Sequence, residues 1–80
     1  ISDGEYEVIE AEIIETSELI NKEIKNSNLP EELRIGAVLR DKKVVIPRSN
    51  FTFKKDDRVV FIVKKDSISF VENIFRLSSV

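Results

Sequence analysis

The sequence predicts a small α+β domain with the element order β-α-β-β-β-α, in which a four-stranded, mainly antiparallel sheet carries two helices on one face. Three observations predict it. Apolar and acidic residues alternate near the start, two strand-like segments flank a short polar turn, and two further segments carry apolar residues at helical spacing. Because the chain has 80 residues, of which 41% are hydrophobic, it can bury one modest core.

The first strand and the first helix are predicted between residues 6 and 25. Apolar residues that alternate with acids indicate a half-buried strand with a solvated acidic face. The alternating residues are Ile9, Glu10, Ala11, Glu12 and Ile13. Thr16 or Ser17 can cap the helix that follows. The helical spacing of Leu19, Ile20 and Ile24 gives that helix an apolar side.

The second and third strands are predicted over residues 34–40 and 43–46, with Asp41 and Lys42 as the turn between them. A two-residue hairpin turn favours glycine or asparagine at a positive φ angle, so Lys42 predicts a different turn. Pro47 ends the third strand because proline cannot donate a hydrogen bond to a neighbouring strand.

The fourth strand is predicted over residues 58–64. Residues 59–63 are all apolar, which predicts a central strand that is covered on both faces. Asp66 or Ser67 can cap the last helix. Its apolar stripe consists of Ile68, Val71, Ile74 and Phe75.

The composition argues against an enzyme and against a secreted precursor. The chain has no histidine and no cysteine, so it lacks the commonest general base, the best nucleophile and any disulfide. It begins at Ile1, and the basic segment followed by an apolar segment that is typical of a signal peptide does not follow. No apolar run is long enough to span a bilayer. We expect a fragment of a longer protein, with residues 1–5 as a linker remnant and residues 6–80 as the domain.

Charge is distributed unevenly along the chain. Residues 1–32 have a net charge of −8, whereas residues 33–80 have a net charge of +6. This asymmetry indicates either a basic binding face or acidic and basic strands that neutralise each other. Arg34, Arg40 and Arg48 are candidates for binding phosphate or a nucleotide, and the alternative is that they solvate that face of the sheet or pair with Glu10 and Glu12. Their even spacing predicts that Arg34 and Arg40 leave the same face of a strand.

Two other kinds of site have weaker signals. Asp56 and Asp57 are adjacent carboxylates, but they fit a polar turn better than the six to eight oxygen ligands of a calcium site, so no metal site is predicted. Phe51 and Phe53 precede two lysines, as in proteins that bind single-stranded nucleic acid. In so small a domain we expect both rings to belong to the core.

The whole chain from about residue 6 to residue 76 resembles a known family. Its segments EVIEAEIIETS, LINKEIKNSNLP, RIGAVLR, VVIPRSN, KKDDRVVFIV and VENIFR follow one another in the order found in the TrkA C-terminal (RCK-C) domain. The chain looks most like the C-terminal domain of a TrkA-type potassium uptake regulatory subunit. It departs from the usual family pattern at Lys42 and Asp56, where glycine is common.

The resemblance implies a non-catalytic regulatory domain that binds a ligand and dimerises. It would belong to a cytoplasmic subunit, peripheral to the inner face of the membrane, that controls potassium transport. The implied partners are a second copy and, through the full-length protein, a membrane potassium transporter subunit. Neither insertion into the membrane nor binding of nucleic acid is expected. NAD would belong to a domain upstream of this segment, and no cofactor is expected within it.

The resemblance also implies a ligand groove between two copies, which in relatives can hold a nucleotide such as cyclic di-AMP. The matching positions are Ile35, Gly36, Ala37, Arg40, Ile46, Pro47, Arg48 and Ser49. Arg40 and Arg48 would pair with phosphate, and Ile35, Ala37 and Ile46 would contact the bases. The alternatives are a nucleic-acid-binding module and a pure assembly module that binds no ligand.

Overall fold

A single antiparallel sheet with the strand order β3-β2-β4-β1-β5 organises the domain. The computed structural model describes residues 4–79, and describes the side chains of residues 4–75. The strands are β1 (Tyr6–Glu12), β2 (Leu33–Arg40), β3 (Lys43–Val45), β4 (Arg58–Lys64) and β5 (Arg76–Ser79). The four predicted strands are therefore present, and β5 is an additional strand that pairs with β1.

One face of the sheet carries the core, and we call it the inner face. Alternate residues are buried there, Ile9 and Ala11 in β1 and Val59, Phe61 and Val63 in β4, as the alternation of a sheet requires. The buried apolar residues are Ile9, Ala11, Ile13, Leu19, Leu33, Val38, Phe53, Val59, Phe61, Val63, Val71 and Phe75. The rings of Phe61 and Phe75 stack with their centroids 5.1 Å apart, which joins the middle of the sheet to the segment after the helix.

The opposite face, which we call the outer face, is open in this chain. Val60 is half-buried and Ile62 is 47% exposed, so the prediction that β4 is covered on both faces was wrong. The buried residues of the helix and the long loops all belong to the core cluster on the inner face. No element within residues 4–75 is left to cover the outer face.

A β-bulge in β2 changes which side chains share a face. Ile35 lies opposite Phe61, and Ala37 lies opposite Val60, so the register shifts by one residue at Gly36. An extra residue in one strand reverses the alternation beyond it. Arg34 therefore lies on the outer face and Arg40 on the inner face, contrary to the prediction that they share one.

The turn between β2 and β3 has a positive φ at both central residues, 52° at Asp41 and 65° at Lys42. This is the backbone of the usual type I′ hairpin, so the prediction of a different turn was wrong. The strand register determines the turn type. Arg40 pairs with Lys43, so only Asp41 and Lys42 are left to form the turn. Asp56 also has a positive φ, 72°, which aspartate tolerates better than most residues do.

The predicted first helix is replaced by turns, with a 3₁₀ helix only at Ile24–Asn26. Ser17 Oγ does accept a hydrogen bond from the Leu19 N–H, in the manner of a cap, but the helix does not propagate. Asn21 has φ 67°, and its N–H donates to the carbonyl of Phe53 over 2.8 Å. Short helices are marginal in water, so backbone pairing with the neighbouring loop replaces the helix here.

The last predicted helix is present but short. A 3₁₀ turn at Lys65–Ser67 leads into α1 (Ile68–Glu72), which gives eight helical residues in all. Val71 and Phe75 of the predicted stripe are buried, and Ile68 and Ile74 are partly buried. Among the described residues, no helix is long and apolar enough to span a membrane.

Candidate functional site

The candidate site lies beside the first half of β2, where β3 has already ended. β3 pairs only with Val38–Arg40 and leaves residues 33–37 without a strand on that side. Two other segments, 24–31 and 47–49, occupy this position and leave an open cavity of about 450 Å³. Its lining consists of Ile24, Lys25, Asn28, Leu29, Pro30, Glu31, Leu33, Arg34, Ile35, Pro47, Arg48 and Ser49. We call it the cationic cavity.

Backbone hydrogen bonds hold the walls of the cationic cavity together. The Lys25 N–H donates to the Ser49 carbonyl over 2.9 Å, and the Phe51 N–H donates to the Arg48 carbonyl over 3.0 Å. An isolated bridge between Glu23 and Thr52 extends this pairing. The extended backbone that replaces the predicted first helix therefore places Lys25 opposite Arg48.

Three cations and one carboxylate contribute charge to the cavity. Lys25, Arg34 and Arg48 are exposed at its lining, and Glu31 is the one acidic residue among them. Two hydrogen bonds orient the Arg34 guanidinium, since its Nη1 donates to the carbonyls of Glu31 and Leu33. Within residues 4–75, neither Lys25 nor Arg48 forms an ion pair. The cavity thus has a surplus of positive charge available to an anion.

The remaining wall is apolar. Ile24, Leu29, Ile35 and Pro47 present hydrocarbon surface next to the cations, and Ile35 and Leu29 also pack against the core. A mainly apolar cleft with a few convergent polar groups is the usual form of a small-molecule site, and its volume lies within the usual range of roughly 300–1,000 Å³. The arrangement suits a molecule with an anionic part and a flat or hydrophobic part.

Arg40 lies outside this cavity and binds a buried carboxylate. Its Nε and Nη2 each lie 2.7 Å from one oxygen of Asp57, whose side chain is 1% exposed. The Thr52 carbonyl accepts a further bond from Arg40 Nη2 over 2.9 Å. The Lys54 N–H donates to Asp57 over 2.8 Å. The hydrogen bonds to Asp57, together with the negative charges of Asp57 and Asp41, raise the pKa of Arg40.

The sequence-predicted site residues thus divide into two groups. Four of them, Ile35, Pro47, Arg48 and Ser49, line the cationic cavity. The other four do not: Gly36 and Ala37 form the bulge, Arg40 binds Asp57, and Ile46 is 74% exposed next to Pro47.

The positions that match the family's ligand groove omit part of this lining. The omitted part consists of Lys25, Arg34 and the apolar residues between them. The arginine spacing did single out Arg34 as a phosphate candidate. Lys25 carried no such signal, because its place in the cavity depends on a segment that was predicted to be helical.

The neutralising interpretation of the charge asymmetry holds for one pair of strands. Arg58 donates to Glu10 and also lies 3.7 Å from Glu12, so a basic strand neutralises an acidic one on the outer face. The hydrogen bond from Arg58 lowers the pKa of Glu10. Arg34, Arg40 and Arg48 do not take part in this pairing, so that part of the alternative was wrong, whereas Arg34 and Arg48 are exposed to solvent as its other part expected.

The aromatic residues belong to the core, as expected. Phe53 is fully buried, and Phe51 meets it edge to face with the ring centroids 6.0 Å apart. The Arg40 guanidinium lies 4.6 Å from the centroid of the Phe51 ring. Since base stacking requires exposed rings, these residues do not support nucleic-acid binding.

A second cavity, of about 620 Å³, lies between residues 14–28 and residues 70–75, and it shares Asn28 with the cationic cavity. Its charged lining is mixed, with Lys22 between Glu18 and Glu72, and Phe70 is exposed at its rim. None of the predicted site residues lies there.

Comparisons with known proteins agree with the sequence signature. The sequence model of the TrkA-C domain matches residues 8–76. The Trk system potassium uptake protein TrkA of Azorhizobium caulinodans is 41% identical over 76 residues, which are 95% of this chain and 17% of that protein. A TrkA homolog of Archaeoglobus fulgidus is 34% identical over 64 residues, 80% of this chain and 15% of its own length. The chain thus spans about a sixth of the length of these relatives.

A solved structure described as "Structure of RCK domain with cda" has the same fold. It superposes with a TM-score of 0.72, covers 88% of this chain and 99% of its own, and is 12% identical in sequence. The resemblance found in the sequence is therefore confirmed by family, relatives and fold. The chain belongs to the TrkA-C family, and it is similar to a segment of Trk potassium uptake proteins.

Proposed function

We propose that this domain is a non-catalytic regulatory module that binds a small anionic ligand in the cationic cavity. As part of a longer potassium uptake subunit, it would couple occupancy of that cavity to transport. The observation that carries the proposal is the convergence of Lys25, Arg34 and Arg48 beside an apolar wall. The family supplies the context of potassium transport.

The chemistry of the lining favours a nucleotide. The planar guanidinium groups of Arg34 and Arg48 can each donate two parallel hydrogen bonds to a phosphate, and Lys25 adds a point charge. Ile35 and Pro47 can contact a base, and Ser49 can donate a hydrogen bond from its hydroxyl. Cyclic di-AMP has these parts twice, so two copies of the domain would each contact one half of it.

Arg40 has a different part in this proposal from the one that the resemblance implied. Its donors are directed to Asp57 and to the Thr52 carbonyl, so it positions the loop that carries Arg48 and Ser49. Ile46 would contact the base only from the rim, because it is mostly exposed.

The proposal extends to partners and place. The second copy needed for a shared ligand would make the unit a homodimer. The partner of the full-length protein would be a membrane potassium transporter subunit, which places the domain in the cytoplasm at the inner face of the membrane. NAD would bind to a separate upstream domain.

The test is a calorimetric titration of the 80-residue chain with cyclic di-AMP. Replacing Arg48 by alanine removes charge-assisted hydrogen bonds worth about 1.5–3 kcal/mol, so we expect binding to weaken roughly 10–100-fold. Arg48→Lys should recover part of the loss. Lys55 lies on an exposed turn and, within residues 4–75, pairs only with Asp56, so Lys55→Ala is the matched control and should bind like the wild type.

Two results would argue against the proposal. If Arg48→Ala binds as tightly as the wild type, the ligand lies elsewhere. If neither cyclic di-AMP nor other phosphate-bearing nucleotides bind at all, the pure assembly module becomes the better description.

A further inference from the structure

The second cavity, which we call the mixed-charge cavity, has two walls that no hydrogen bond joins. One wall consists of the turns at residues 14–28, and the other consists of residues 70–75. The turns are closed by their own hydrogen bonds, such as the one from the Lys22 N–H to the Leu19 carbonyl over 2.9 Å. Within residues 4–75, no hydrogen bond runs from one wall to the other. The walls can therefore adjust to a bound molecule without losing a hydrogen bond.

Apolar side chains form the deeper part of the mixed-charge cavity. Leu19 and Phe75 belong to the core, and Ile14 and Ile74 are half-buried. Phe70 is 53% exposed at the rim. A flat ring in this position would contact hydrocarbon and would meet the Phe70 ring in one of the favourable aromatic geometries. The volume of about 620 Å³ lies within the usual range of small-molecule sites.

Charges of both signs line the mixed-charge cavity without neutralising each other. Glu18 and Lys22 lie on the first wall, and Glu72 lies on the second. All three side chains are exposed, and none of them forms an ion pair among the described residues. The spacing of four positions would pair Glu18 with Lys22 on a helix, but turns replace the helix in this segment. One ammonium and two carboxylate groups are therefore available to a ligand that carries both charges.

We propose that the mixed-charge cavity binds a free amino acid with a large apolar side chain. The α-carboxylate would accept hydrogen bonds from the Lys22 ammonium, and the α-ammonium would donate to Glu18 or Glu72. The apolar side chain would lie against Leu19 and Phe75. An anion would meet two carboxylates, and a simple amine would leave the Lys22 ammonium without a partner, so a zwitterion matches the three charges best.

The experiment is an NMR titration of the isotope-labelled 80-residue chain with L-tryptophan and with three compounds that each lack one part of it. Tryptamine lacks the carboxylate, indolepropionate lacks the ammonium, and glycine lacks the apolar side chain. For L-tryptophan we expect a Kd on the order of 1 mM or tighter, as is usual for a ligand of this size. Each missing part should weaken binding roughly tenfold. The amide signals that shift should belong to the two walls of the mixed-charge cavity.

Charge variants test which side chain recognises which part of the ligand. Lys22→Met should weaken binding of L-tryptophan roughly tenfold and leave tryptamine unaffected, so that the two compounds bind alike. Glu18→Gln combined with Glu72→Gln should likewise remove the advantage of L-tryptophan over indolepropionate. The matched control is Lys43→Met, which alters an exposed lysine of β3 outside the cavity and should bind like the wild type.

Circular dichroism would confirm that each variant is folded, and if Lys22→Met does not fold, the compound series on the wild type decides alone. The proposal is overturned if L-tryptophan causes no shifts up to about 10 mM. It is also overturned if tryptamine or indolepropionate binds the wild type as tightly as L-tryptophan does, or if the shifts lie at the cationic cavity. A loss of binding in Lys43→Met equal to that in Lys22→Met would contradict the role of Lys22.

The same samples separate this inference from the proposed function. The two cavities share only Asn28 of their linings, and neither variant alters it. Arg48→Ala should lose cyclic di-AMP and keep L-tryptophan, whereas Lys22→Met should do the reverse. If one ligand alone fails to bind the wild type, its site is removed and the other site stands.

Discussion

Replacing Arg40 by methionine removes the ion-pair partner of Asp57, the most deeply buried charged residue that the structure describes. Methionine keeps the hydrocarbon stem that contacts Phe51 but removes the two hydrogen bonds to Asp57 and the one to the Thr52 carbonyl. Asp57 would keep only the hydrogen bond from the Lys54 N–H at a site that is buried in the wild type.

The expected loss of stability follows from this geometry. Removing one partner of a buried ion pair costs about 3–5 kcal/mol. The lower end applies, since the Arg40 side chain is 28% exposed and solvent screens part of the interaction. We expect a fall of about 3 kcal/mol in the free energy of unfolding, or about 12–24 °C in Tm for a domain of this size.

Urea denaturation followed by circular dichroism measures this free energy. The matched control is Arg48→Met, which removes an exposed arginine without an ion pair among the described residues and should change stability by less than about 0.5 kcal/mol. Combining Arg40→Met with Asp57→Asn gives the coupling energy of the pair, for which we expect about 2 kcal/mol. The reasoning is refuted if Arg40→Met costs no more than the control, or if the coupling energy is close to zero.

Three further predictions test the turn, the surface ion pair and the sidedness of the sheet. Lys42→Gly should stabilise the domain by about 1 kcal/mol in urea, because glycine adopts the φ of 65° without strain, and a loss would show that the Lys42 side chain makes a compensating contact. Glu10 has a pKa lowered by its hydrogen bond from Arg58, so its charge stabilises the fold above its unfolded pKa of about 4.3, and this stability is lost as the pH falls through the folded pKa. In an NMR titration of Arg58→Gln the Glu10 pKa should rise toward the ordinary value, and an unchanged pKa would contradict the assignment. Phe61→Ala should cost about 3–5 kcal/mol in the same urea assay, whereas Ile62→Ala on the opposite face should cost far less in the monomer, and equal losses would refute the one-sided core.

Strands proved predictable from sequence where a local pattern and a long-range requirement agree. In β1 the alternation of Ile9 and Ala11 with Glu10 and Glu12 predicts both the strand and the face that is buried. The bounds of β4 agree with the predicted residues 58–64, since an apolar run between polar turns is a strong signal. Its sidedness did not follow, because an apolar run carries no alternation to show which face is covered.

Two features depended on contacts that no local pattern contains. The segment around Asn21 has helical spacing, but its backbone pairs with residues 49–53, thirty positions away along the chain. The bulge at Gly36 cannot be predicted from the sequence of β2 either, because an extra residue is defined only by the pairing with the partner strand.

These two features decide the candidate site. The first places Lys25 in the cationic cavity, and the second turns Arg40 away from it, toward Asp57. Pro47, Arg48 and Ser49, which follow β3, could be assigned to the site without knowledge of the loop pairing or the bulge. Their order in the family pattern was sufficient.

Both margins of the sheet end in brief strands, three residues in β3 and four in β5. Such margins offer few free N–H and C=O groups to another chain, so lateral growth of the sheet from copy to copy is discouraged. A second copy that added to either margin would be held by the backbone of only three or four residues, which disfavours extension of the sheet into a fibre.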